Sequence, residues 1–392
     1  MIKRNFTIVS MVFIPFSVAF AQIPGLAPQK SWDLSGYVKY MATYTAPTNA
    51  DKSLDHLVHQ RFNFEYRFDN GFSFNAGMRN RALMGDSLDI PGYEKFVSFD
   101  PGYWDLSRNV SESDSLIVNA QFDRLYLDWR GEEWRARVGR FRVNWAMNTV
   151  WNPNDLFNAY SIYDFDYEER AGSDALLIGK KLGFADGIEV VASPNDDSEL
   201  NSYSARYYGN YQGWDYQLLG GKSLTDNVIG AGFATDVSGA GVRGELTWFD
   251  PREETYKGVK QQATTVASLE TDYSFGGQRS WLARAAWLYI NNPIDIRNAR
   301  AYLSLPLNAK TLSFTKKTAY VDVSFDATPL NRLTVSGSLY QDDSYFLGIT
   351  NSYSMADNWQ LLAVIQRFDG SSNSLFGEDP ATLFYANIKW SF

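Results

Sequence analysis

Four arginines fall within eight residues, Arg135, Arg137, Arg140 and Arg142, and acids bracket them on both sides. Asp123 and Asp128 precede the group; Asp155, Asp164, Asp166, Glu168 and Glu169 follow it. Guanidinium groups hold their charge at any physiological pH, and solvated carboxylates hold theirs. Rows of opposite fixed charge facing one another across water make and break no bonds; they set up a field that sorts solutes. The alternative reading of the acids is a solvated loop surface, which charge runs commonly form. Alternate acids at Asp164, Asp166 and Glu168 also suggest Ca²⁺, but the glycine and closing glutamate of an EF-hand loop are missing. No metal and no cofactor is expected.

Positioning these charges takes a pair of strands. If the turn Gly131-Glu132-Glu133 sets their register, Asp128 faces Arg135, Tyr126 faces Arg137, Asp123 faces Arg140 and Gln121 faces Arg142. The apolar set Trp134, Ala136, Val138 changes parity to Phe141 and Val143 across Gly139. With a bulge there, all four arginines face one side; without it, Arg140 and Arg142 point the other way, toward an outer rim. The sequence leaves both open.

The same alternation recurs from residue 32 to the end. Gly36, Val38, Tyr40, Ala42 and Tyr44 share one face of a strand; Phe62, Phe64, Tyr66 and Phe68 share one in the next, with Arg61, Asn63, Glu65 and Arg67 opposite. Asp69-Asn70-Gly71 is a tight hairpin signal. Charges occupy alternate sites again at Arg243/Glu245, Glu270/Asp272 and Asp322/Asp326, which requires one face to meet water. Short turns and longer connections alternate, giving about 18 strands, with 16 or 20 if one hairpin is miscounted. The expected fold is all-β: a transmembrane antiparallel barrel, with the stretch after the arginines as its third long connection. That connection is rich in rings (Trp145, Trp151, Phe157), so it should fold back and pack rather than float.

Composition agrees. Aromatics reach 16 percent, more than a soluble core requires and suited to the interfacial girdles of a barrel. Lys3 and Arg4, an apolar run from Phe6 to Phe20, and Ala19-Phe20-Ala21 read as an export signal cleaved after Ala21. The expected organisation is a signal peptide over 1–21, a short periplasmic segment over 22–31 and the barrel over 32–392. Losing Lys3 and Arg4 leaves 34 basic against 45 acidic residues, a net charge of −11, which argues against a nucleic-acid partner. Cysteine is absent, so neither disulfides nor thiolate chemistry is available.

The last strand, Phe384 to Phe392, alternates Phe384, Ala386, Ile388, Trp390 and Phe392 with Asn387, Lys389 and Ser391. It resembles the C-terminal assembly signal of Gram-negative outer-membrane barrels. The resemblance implies an outer-membrane location, surrounding lipid and lipopolysaccharide, and recognition of Trp390 and Phe392 by the barrel-assembly machinery. The third long connection is similar in rank and length to the constriction loop of general porins, although it lacks their short Gly-containing acidic motif. The phrase Trp151–Phe157, between the arginine strand and Asp164–Arg170, also resembles a poorly characterised porin-like barrel family. These likenesses imply a porin passing small hydrophilic solutes; assembly as a homotrimer stays open. A conduit for hydrophobic or lipid-like solutes, working with periplasmic partners, would need an apolar lumen or a lateral gap. A barrel hydrolase is the weakest alternative: His56 and His59 read as exposed residues of the first connection, and no Ser lies in a G-x-S-x-G setting.

Overall fold

Alternating side chains, broken by Asn, Asp and Gly at the reversals, build strands that each hydrogen-bond to the next. The computed structural model describes residues 30–163, 169–170, 172–296, 298–305 and 307–392. The expected leader with its cleavage site, and Asp164, Asp166 and Glu168, lie outside the described residues.

The wall begins with β1 (Trp32–Pro47), β2 (Ser53–Arg67), β3 (Phe72–Gly85), β4 (Leu116–Arg130), β5 (Trp134–Phe141) and β6 (Ser173–Lys181). It continues through β7 (Gly187–Ser193), β8 (Ser202–Tyr211), β9 (Trp214–Ser223), β10 (Asp226–Val237), β11 (Ala240–Pro251) and β12 (Thr264–Gly276). The last six are β13 (Trp281–Ile290), β14 (Lys317–Thr328), β15 (Asn331–Tyr340), β16 (Ser344–Ala356), β17 (Trp359–Gly370) and β18 (Ala381–Ser391). All neighbours pair antiparallel, and β18 pairs with β1 from Tyr37↔Ser391 to Pro47↔Ala381, so the 18-stranded sheet closes on itself. Closure satisfies the backbone amides around the ring, the condition for crossing lipid as strands.

At the seam, Gly36 and Phe392 exchange backbone hydrogen bonds of 3.0 and 2.9 Å. A Cβ at Gly36 would lie 2.1 Å from the Arg61 carbonyl oxygen and 2.8 Å from the Phe392 ring, so glycine alone fits. Outside, Leu127, Val138, Ile178, Val190, Leu218 and Ile229 form part of an exposed apolar belt. Phe68, Phe72, Trp134, Tyr211, Trp214 and Phe275 stand exposed beside the short turns, as an interfacial girdle does. No helix among the described residues is long and apolar enough to cross a membrane.

Several local expectations change. His56 and His59 lie on β2, not in the first connection, because alternation with outward Leu54 and Val58 carries the strand to Ser53. The polar stretch before β4 contains a helix, Tyr93–Ser98, and a strand, Ser107–Ser113. The β4–β5 register is offset by two residues from the one expected: Asp128 pairs with Arg137, and Arg130 with Arg135. Gly131 N–H donates to the Trp134 carbonyl at 2.8 Å, so the reversal centres on Glu132-Glu133 rather than on Gly131. Pairing runs unbroken through Gly139 on both sides, and the change of parity falls instead on β4. There Gly77 pairs with Arg124 and Met78 with Phe122, leaving Asp123 as the extra residue of a bulge.

Nor is the interior uniformly polar. Phe141, Leu177, Val191, Leu219, Val228 and Leu288 are buried on inward positions and pack with Trp145, Val150, Trp151 and Leu156 of the third long connection. A second apolar group joins Tyr340, Phe346 and Phe368 of the wall to Tyr302 and Phe376 of later connections.

Candidate functional site

The inward face of β1 to β5 is a cationic wall. Lys39, Arg61, Arg79, Arg81, Arg135 and Arg137 each alternate with outward residues, which turns them into the bore, and Arg124 enters it next to Asp123 at the bulge. Arg61 grips Asp123 with two bonds of 2.6 and 3.0 Å, both groups buried, and its Nε lies 3.4 Å from Glu169. The Tyr37 hydroxyl donates to Glu169 at 3.1 Å, and Arg124 donates to the carbonyls of Glu169 and Arg170 at 2.5 and 2.6 Å. Arg79 donates to Gln121 at 2.5 Å, and Arg81 to Asn119 and the Val97 carbonyl at 2.9 Å each. Near the short turns, Asp128 accepts from Arg130 (2.8 Å), Arg135 (3.1 Å) and Arg137 (2.9 Å). One carboxylate cannot neutralise three guanidiniums, so this cluster carries an excess of positive charge. A recess of about 370 Å³ opens against it, lined by Arg61, Asn63, Glu65, Asn75, Arg124 and Glu169 among others.

Facing that wall, the third connection is tied to the interior. Its first part, Asn144–Asn158, forms a strap held by two wall carboxylates. Glu245 on β11 accepts the backbone N–H groups of Met147, Asn148 (2.8 Å) and Asn154 (2.9 Å). Glu270 on β12 accepts those of Thr149 (2.8 Å) and Val150 (2.9 Å) and the Thr149 hydroxyl at 2.7 Å. A loop without secondary structure has unpaired amides, and inward carboxylates are strong acceptors for them. Thr247 donates to Asn154 Oδ1 at 2.6 Å, Gln217 to the Trp145 carbonyl at 2.7 Å, and Trp145 Nε1 to Glu189 at 3.0 Å. Gly232 lets the strap approach: a Cβ there would be 2.8 Å from Asn154 and 2.9 Å from Met147. Further on, Tyr163 hydrogen-bonds Tyr340, and its carbonyl accepts from Gln366 at 3.2 Å; burial pushes the Tyr163 hydroxyl up to about 12.

The residues singled out in sequence therefore separate into groups. Asp128, Arg135 and Arg137 form one cluster, and Asp123 joins Arg61. Asp155 is fully buried in the strap, 3.9 Å from Arg142; burial pushes its carboxyl up to about 7 despite the pull of Arg142. Arg140 leaves the others: it lies on the opposite face of β5 with Asp174 and Asp100. Glu169 meets Arg61 and Tyr37, while the rings of Trp390 and Phe392 pack at a tilt with centroids 5.3 Å apart beside the seam. Lys39, Arg79, Arg81 and Arg124, and the clamping pair Glu245 and Glu270, were not among them. Alternate charges on Arg61/Glu65 and Glu270/Asp272 were the available signal, but alternation gives a face and not a partner.

No protein-family model and no curated protein matches the sequence. Solved structures do. Pseudomonas aeruginosa OccK5 (OpdH) superposes with a TM-score of 0.59 at 8% identity, over 92% of this chain and 98% of that one. OpdQ of the same organism gives 0.57 at 9% identity, over 93% and 99%. Its outer membrane protein OprD gives 0.56 at 10% identity, over 92% and 93%. Shared with these outer-membrane porins is the fold: the chain is an all-β, porin-like closed barrel of 18 strands.

Proposed function

We propose that the protein is an outer-membrane channel giving passive diffusion to small hydrophilic solutes, with the third connection narrowing the bore. The observation that carries this reading is the clamp of Glu245 and Glu270 on the strap, directly tying a loop to the inner wall while the guanidiniums of β1–β5 line the other side. Solutes would pass along the cationic wall, and those bringing an anionic group would be favoured there. The fold shared with OprD, OpdQ and OccK5 supports the coarser part of this reading. Export with cleavage after Ala21, surrounding lipopolysaccharide, and insertion through the assembly machinery by way of Trp390 and Phe392 belong to the same proposal.

Planar-bilayer recording of the purified protein is the test. Stepwise conductance with a reversal potential biased toward anions is expected, together with liposome swelling in amino acids or sugars. Silent bilayers and absent swelling would overturn it. The inward apolar residues Leu177, Val191 and Leu219 favour the lipid-conduit reading, but they are buried against Trp145 and Leu156 and offer no open apolar track. Catalysis has less support still. His56 stacks on Tyr40 and bonds its hydroxyl at 2.8 Å, and neither ring nitrogen of His59 has a partner among the described residues.

A further inference from the structure

Three consecutive wall strands are short. β5 and β7 have 8 and 7 residues and β6 has 9, below or at the lower limit of the about 9–11 that a tilted strand needs to cross hydrocarbon. The second long connection fills the gap above them. Its strand Ser107–Ser113 pairs with β4 from Ser107↔Gln121 to Ser113↔Leu116, and the Leu106 carbonyl accepts Phe122 N–H at 3.0 Å. Beside it, Arg140 on β5 and Asp174 on β6 stand directly opposite one another. Both occupy the face shared with Val138, Leu176 and Ile178, which is the face turned to lipid.

The segment Asp100–Leu106 is laid over this pair. Arg140 donates to Asp174 at 2.8 and 2.7 Å, to Asp100 at 2.5 Å and to the Trp104 carbonyl at 2.5 Å. Trp104 N–H donates to Asp174 at 2.9 Å, and Leu106 N–H to Asp100 at 2.9 Å. A Cβ at Gly102 would come within 2.0 Å of the Arg140 guanidinium, so the backbone presses directly on the ions. All three charged side chains are no more than 3% exposed, whereas Tyr103 and Trp104 remain 44% and 46% exposed.

We propose that Asp100–Leu106 is a membrane-seated cover, anchored by Arg140–Asp174, whose Tyr103 and Trp104 rings rest in the interfacial zone of the surrounding lipid. The anchor lies on the lipid-facing surface, so what is laid over it projects further toward lipid. Bare charges on that surface are costly; the cover encloses them. Outward positions of β5 to β7 at this end carry Val138, Leu176, Val190 and Ala192 and no ring, so Tyr103 and Trp104 supply the missing stretch of girdle. Amphipathic rings of this kind favour the interface. The occupant is lipid rather than a second copy because the patch continues the apolar belt of Val138, Leu176 and Ile178.

The inference rests on the barrel lying in a bilayer, and the test separates the two. The chain has no cysteine, so Tyr103→Cys, Ile178→Cys and Lys257→Cys each give one site for an environment-sensitive NBD label. Each labelled barrel is reconstituted in phosphatidylcholine vesicles with a shallow doxyl-lipid quencher, and iodide is added outside. Position 178 reports the belt, and position 257, on an exposed hairpin, reports water. The expected result is several-fold stronger lipid quenching at 103 than at 257, with protection from iodide that persists at one barrel per vesicle. Lipid quenching at 178 with a water-like response at 103 would overturn the cover while sparing the membrane barrel. Failure of lipid quenching at 178 would overturn both. Protection at 103 that disappears on dilution would replace lipid by a second copy. In an Arg140→Ala background, lipid quenching at 103 should fall toward that of 257 while 178 keeps its own; no change would remove Arg140–Asp174 as the anchor.

Discussion

Two walls of the bore use inward charge differently. On β1–β5, guanidiniums outnumber the acids among them, and Asp128 alone serves three. On β11 and β12, the carboxylates of Glu245 and Glu270 are taken up by backbone amides of the strap. One wall places inward charge in side-chain ion pairs in which cations are in excess; the other converts it into attachment. Inward placement alone thus does not make a residue part of a filter. Its neighbours' hydrogen-bonding needs decide that.

Removing the attachment should have the largest effect. In Glu245→Ala/Glu270→Ala, five backbone amides lose their acceptors, at about 1–3 kcal/mol for each one left buried and unsatisfied. Single-channel conductance is expected to rise several-fold as the strap detaches; an unchanged value would mean that the ties to Thr247, Gln217 and Glu189 and the apolar packing hold it without the clamp. Glu245→Gln/Glu270→Gln, which keeps an acceptor oxygen, should move conductance less. On the cationic wall, Arg61→Ala strands buried Asp123, a loss of about 3–5 kcal/mol. That should appear as a lower unfolding temperature of the detergent-solubilised barrel, with a smaller drop for Arg61→Lys.

The next effect bears on selectivity. Arg135→Ala/Arg137→Ala should shift the reversal potential toward cations by a few-fold in permeability ratio, with some loss of stability because buried Asp128 keeps only Arg130 as a partner. Unchanged selectivity would remove them from the path. The smallest effect concerns Asp155. Its folded carboxyl sits at about 7 against an ordinary 3.8, so protonation favours the packed strap. That contribution is full below 3.8 and is lost as pH rises to about 7. Asp155→Asn should flatten this slope in strap-dependent conductance; an identical pH profile would exclude Asp155 as its source.

The fold was readable because alternation is a strong local signal: Phe62 to Phe68 against Arg61 to Arg67 gives a strand and its wet face, and Asp69-Asn70-Gly71 gives the reversal. The ring-rich stretch from Trp145 was correctly expected to pack. Partners were less readable. Asp128 was matched to Arg135 alone because a turn's centre, on which register depends, was misplaced by one residue at Gly131. Phe141 after Val138 suggested a parity change at Gly139, whereas the extra residue sits across the strand pair at Asp123. The clamp was invisible because Glu245 and Glu270 look like any other alternate charges, and their partners are backbone groups more than 90 residues away.

The bulge at Asp123 has a consequence for how such a bore can change. One unpaired residue places two consecutive side chains, Asp123 and Arg124, inside, a density that regular pleating forbids. Deleting it would restore the pleat and turn every residue on one side of that point over, sending Asn119 and Gln121, or Arg124, Tyr126 and Asp128, into hydrocarbon. Insertion of a single residue is therefore a route by which a channel of fixed circumference can gain an interior charge, and its reversal is not a neutral step.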